Sequence, residues 1–189
     1  MSALDNSLLT KVASQLSRPP SYAGQGAQGS ILTVAAASYG SRPPDEEVTP
    51  PTGFDPAVAA LFEAIVESAY LVANADGDFD DAEQAAFTHV VVAACNGVVA
   101  ERQLSALLSD LSDLLAEDGM DKRIEMVART ISKPEHARDV LRVAALIACV
   151  SGGVSTQEQN CLARLAERFA LSEDAVDAAV GEARSVLRS

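Results

Sequence analysis

The sequence predicts an all-α protein: a seven-helix, pseudo-symmetric bundle over residues 54–189 behind a disordered tail over residues 1–53. Three observations carry this. Apolar residues make up 48% of the chain but aromatics only 4%, without Trp, so the core must be mostly Ala, Val and Leu, and Ala and Leu favour helix. Beyond Asp55 the apolar positions recur every three or four residues, the period of a one-sided helix. A helix–turn–helix pattern also occurs twice: Ala69 to Glu83 (AYLVANADGDFDDAE) returns as Ala144 to Glu158 (AALIACVSGGVSTQE) at a constant offset of 75 residues.

The tail differs in composition from the body of the chain. Pro19-Pro20, Pro43-Pro44 and Pro50-Pro51 punctuate it, with glycines between them, and so little apolar surface does not offset the entropy of ordering. Two apolar patches interrupt it. Leu8, Leu9, Val12 and Leu16 fall at helical spacing, while Ile31, Leu32 and Val34 begin a run that could pair as a strand. They are residual stickiness in a tail or docking peptides for a protein partner, by helix-in-groove or strand addition. On either reading, removing residues 1–53 should leave the stability of the body unchanged.

Asp55 before Pro56 is an N-cap followed by proline at the first helical position. Leu61, Ile65, Ala69 and Val72 form the buried stripe of that first helix, and Gly77 stops it. The second, near 81–95, carries Phe87, Val90, Val91 and Ala94 and ends before Gly97. The third, near 100–117, has the clearest stripe, Leu104, Leu107, Leu108, Leu111, Leu114 and Leu115, with Gly119 as its stop. Ile124, Val127 and Ile131 mark a short fourth helix, and Pro134 opens a fifth with Leu141, Ala144, Ile147 and Ala148 inward. Helices near 156–169 and 173–187 complete the set. Asp80 with Glu83 and Ser155 with Glu158 have capping-box spacing. The repeat extends further: Phe87 aligns with Leu162, Val90 with Leu165 and, after a three-residue deletion, Leu108 with Val180.

These residues resemble the TerB-like family, which includes the tellurite-resistance TerB proteins and the N-terminal domain of DjlA-type membrane co-chaperones. Ala75-Asp76-Gly77 with Asp80 and Glu83, and Gly152-Gly153-Val154-Ser155 with Glu158, carry the likeness, over about residues 55–188. The resemblance implies a stress-response or interaction module with a candidate metal site, not an enzyme. The second turn departs from the first, with Ser151 and Gly153 where Asp76 and Asp78 correspond.

The acidic turn has two readings. Asp76, Asp78, Asp80 and Glu83, with Glu67 on the incoming helix, could hold a divalent cation, and oxygen ligands select calcium, magnesium or manganese. Alternatively Asp80 and Glu83 cap a helix while Asp76 and Asp78 face water. A true EF-hand is excluded because Val72 occupies the first ligand position. His89 and His136 lack partners at ligand spacing, and no nucleophile-elbow, zinc-protease or phosphate-loop motif is present. No enzyme is expected. A net charge of −13 repels phosphate backbones and disfavours nucleic acid. No membrane span or signal peptide is expected, and Cys95, Cys149 and Cys161, without a paired motif, suit a reducing cytoplasm.

Overall fold

The computed structural model describes residues 6–23, 29–41, 53–77, 79–151 and 153–188. Among these, every regular element is helical: α1 (Asn6–Ser17), α2 (Ile31–Gly40), α3 (Pro56–Ala73), α4 (Asp81–Ala94), α5 (Glu101–Asp118), α6 (Met120–Thr130), α7 (Pro134–Ala148), α8 (Thr156–Arg168) and α9 (Glu173–Arg188), with a 3-10 turn at Cys149–Ser151. The seven helices expected after Asp55 are present. The described residues hold two more.

Those two lie in the supposed tail, which is corrected for residues 6–23 and 29–41. Leu9, Val12, Ala13 and Leu16 of α1 are buried, a stripe at i, i+3, i+4 and i+7 that matches the helical repeat. Leu32, Ala35, Ala36 and Tyr39 of α2 repeat that spacing. Ser30 caps α2 by accepting a hydrogen bond from the Thr33 amide, and the alanines favour helix over the expected strand. Leu9, Val12, Leu16 and Leu32 are therefore core residues, and Leu8 and Ile31 are half-buried against the same core. Of the proposed docking residues only Val34, at 61% exposure, faces outward. The Tyr39 ring stacks on Phe62 of α3 at 4.6 Å. At the far end of α2, a Cβ on Gly40 would lie 2.2 Å from the Val98 carbonyl oxygen, so glycine permits this close approach.

α3 and α7 pair at the centre, with α2 and α6 against α3, α9 against α7, α1 against α4, and α8 touching α3, α7 and α9. Asp55 starts α3 as expected, its carboxylate accepting from the amides of Ala57 (2.9 Å) and Val58 (3.3 Å). α3 is buried continuously from Ala64 to Val72, and α7 from Asp139 to Ala148. With 18 residues at a mean hydropathy of 1.5, α3 has the length and composition of a short membrane span. Here it is a core helix. A helix apolar on all sides needs cover on all sides.

Two ionic clusters lie within this packing. The Glu67 carboxylate of α3 accepts from Arg123 Nε of α6 at 2.7 Å, and Arg123 also pairs with Asp118 at 3.0 Å. Glu67 above all, then Asp118, hold the Arg123 guanidinium charged against the cost of burial. In the second cluster Arg142 of α7, 2% exposed, donates to Asp139 (3.2 Å), to Glu182 of α9 (2.8 Å) and to the Gln15 carbonyl of α1 (2.7 Å). Asp139 in turn accepts from the Ile31 amide at the start of α2, at 2.8 Å. Removing one member of such a cluster leaves a buried charge unpaired, at a cost of about 3–5 kcal/mol. The second cluster therefore fixes α1 and α2 to the body of the fold.

Candidate functional site

The two repeated turns come together. Asn74 caps the end of α3, Gly77 turns the chain with φ of 84°, and Asp80 restarts helix as the N-cap of α4. A positive φ of this kind strains any residue with a side chain, so glycine belongs here. Both capping boxes are closed. The Glu83 amide donates to Asp80 Oδ1 (2.8 Å) and Glu83 Oε2 accepts from the Asp80 amide (3.3 Å). The Glu158 amide donates to Ser155 Oγ (3.2 Å) and Glu158 Oε2 accepts from the Ser155 amide (2.7 Å).

Glu83 and Glu158, equivalent positions in the repeat, line one cavity of about 30 Å³. That is room for a water molecule or a single small ion. Its remaining walls are apolar, among them Ala73, Phe79, Phe87, Ile147 and Val150. Phe79 packs edge-on against Tyr70 (5.5 Å) and Phe87 (5.9 Å), holding the turn against the bundle. Burial above all pushes the Glu158 carboxyl above its usual value, the hydrogen bonds from Ser155 oppose this, and the negative charges of Asp76 and Glu83 add to it. The site thus gathers like charges beside an apolar wall, an arrangement that favours protons or a cation.

Of the residues expected to ligate a metal, Asp80 and Glu83 serve as capping groups, and Asp76 is exposed at the turn, within electrostatic reach of Glu158. Asp78 lies outside the described residues. Glu67 is corrected: its carboxylate is taken by Arg123 on α6, because that face of α3 turns toward α6 and not toward the turn. Among the described residues no group of three or more His, Cys, Asp or Glu is arranged to hold a metal ion. Sequence reasoning missed that Glu158 faces Glu83; the offset of 75 marks them as equivalents but carries no information about their approach. His89 is exposed and His136 half-buried; burial first, then the neighbouring Lys133, lowers the affinity of His136 for a proton.

An all-helical bundle with two capped, apposed turns is the class that fold and site define. The family model described as Tellurite resistance protein TerB matches residues 62–180, from within α3 to within α9, and the chain belongs to the TerB family. No curated protein and no solved structure matches the chain.

Because burial raises the folded-state value of Glu158, folding favours its protonated form. That contribution is greatest below 4.5, the ordinary value, and is lost as pH rises through the window above it. Glu158→Gln keeps the acceptor oxygen of the capping box and removes the charge. It is expected to raise the melting temperature at pH 7 by about 2–4 °C and to flatten the decline above pH 4.5, both read by circular dichroism. An unchanged or lower melting temperature at pH 7 would contradict the cost assigned to this carboxylate.

Proposed function

We propose that this chain is a non-catalytic accessory module of a tellurite-type stress response, which acts by holding a protein partner. The observation that carries this reading is the family match across residues 62–180. The net charge of −13 supports a partner with a basic surface and disfavours nucleic acid. Cys95, Cys149 and Cys161 are free, buried thiols, which suits a reducing cytoplasm. Docking through the apolar stripes of α1 and α2 is not retained, because those side chains belong to the core. The test is growth under potassium tellurite. A strain lacking the gene is expected to grow poorly, and to be restored by the wild-type chain but not by Leu141→Asp, which breaks the core. Equal growth of all three strains would remove the stress-response reading.

A second reading, favoured by the cavity that Glu83 and Glu158 share, is a divalent-cation sensor. Asp76, Asp78, Asp80, Glu83 and, in place of Glu67, Glu158 would supply only oxygen ligands, the chemistry of calcium, magnesium or manganese. A bound cation would offset the mutual repulsion of these carboxylates and stabilise the fold by mass action. Calorimetric titration with each ion is expected to give heat and a higher melting temperature, both lost in Glu83→Gln/Glu158→Gln. No heat and no thermal shift at millimolar metal would end this reading.

A further inference from the structure

We infer that the cleft between the end of α1, the first half of α7 and the start of α9 binds a phosphorylated small molecule of mononucleotide size. The cleft measures about 710 Å³, within the range of sites that enclose a small organic ligand and far larger than an inorganic ion requires. It lies apart from the paired turns.

Its charge is unusual for this chain. Of only 14 Lys and Arg in a protein of net charge −13, three arginines, Arg18, Arg138 and Arg142, line this one cleft. Arg142 is committed: it is buried and holds Asp139, Glu182 and the Gln15 carbonyl. Arg18 and Arg138 are exposed, and no ion pair joins either to a described residue. Two such guanidinium groups lining one cleft are donors of the kind that phosphate oxygens accept.

The rest of the lining suits the remainder of such a ligand. Tyr22 is 47% exposed and lines the cleft, supplying an aromatic ring of the kind on which a planar base stacks. Ala175, Ala178 and Ala179 of α9 contribute apolar lining. Asp174 and Ser172 also line it, as acceptors for hydroxyl or amino groups. A mononucleotide combines all three features: a phosphate, a planar ring and hydroxyl or amino donors. One wall of the cleft, including Arg18 and Tyr22, precedes the span that matches the family, so the site exists only because α1 is fixed to α7 and α9 by the Arg142 cluster. A segment of an acidic peptide would satisfy the arginines but would leave the Tyr22 ring and the alanines of α9 without a planar partner.

The experiment is calorimetric titration of the full chain with AMP, GMP, CMP and UMP, with adenosine and inorganic phosphate as controls and an acidic hexapeptide as competitor. At least one mononucleotide is expected to bind at one site per chain. Adenosine and phosphate alone are expected to bind at least about tenfold more weakly, since each lacks part of what the cleft recognises. Arg18→Ala/Arg138→Ala is expected to weaken the mononucleotide by about tenfold or more with the melting temperature unchanged, and Tyr22→Ala to weaken it with phosphate binding untouched. Absence of heat from all four mononucleotides at millimolar concentration would overturn the assignment. Equal affinity of the double arginine variant, or tighter binding of the hexapeptide than of any mononucleotide, would do so as well.

Discussion

The structure depends on two helices that are apolar nearly all round. α3 and α7 pair at the centre, each with a continuous run of buried residues, and neither can be left with a bare side. Burying such a surface contributes roughly 1.5–3 kcal/mol per large side chain, so the exposed face of an uncovered core helix would be costly. α2 covers α3 through Leu32, Ala35, Ala36 and Tyr39, while α1 packs against α4 and reaches α7 and α9. The Arg142 cluster, whose bonds reach the end of α1 and the start of α2, gives this cover a defined register.

The same constraint explains which parts of the fold were legible in the sequence. The seven helices of the body announce themselves through local chemistry: Asp55-Pro56 at one start, capping boxes at two others, glycines at the stops, and leucine stripes between them. α1 and α2 were hidden by their surroundings. Proline and glycine punctuate residues 1–53, and only position-by-position spacing separates the stripes Leu9–Val12–Ala13–Leu16 and Leu32–Ala35–Ala36–Tyr39 from that background. A run such as Ile31 to Ala37 is apolar at nearly every position, so its periodicity does not distinguish strand from helix.

The site was legible only in part, for a different reason. Capping is a property of four consecutive residues and could be read at Asp80–Glu83 and Ser155–Glu158. Apposition is a property of the packed chain. Glu67 shares a helical face with Asn74 in one dimension, yet its carboxylate is taken by Arg123, a residue 56 positions away. Glu158 lies far from Glu83 in sequence and meets it across a cavity, because the pairing of α3 with α7 brings their C-terminal turns to one end of the bundle. The site is therefore made by two turns that match in sequence, the first rich in carboxylates and the second nearly stripped of them, with one glutamate from each lining the same cavity.

Residues 6–23 and 29–41 are part of one core with the family-matched helices. Thermal unfolding of a chain beginning at Gly53, compared with the full chain, tests this most directly. Losing Leu9, Val12, Leu16, Leu32 and Tyr39 from the core removes burial of roughly 1.5–3 kcal/mol each, together comparable with the roughly 5–15 kcal/mol by which such a domain is stable, so the shortened chain is expected to lose its cooperative transition. A cooperative transition within about 2 °C of that of the full chain would contradict the account.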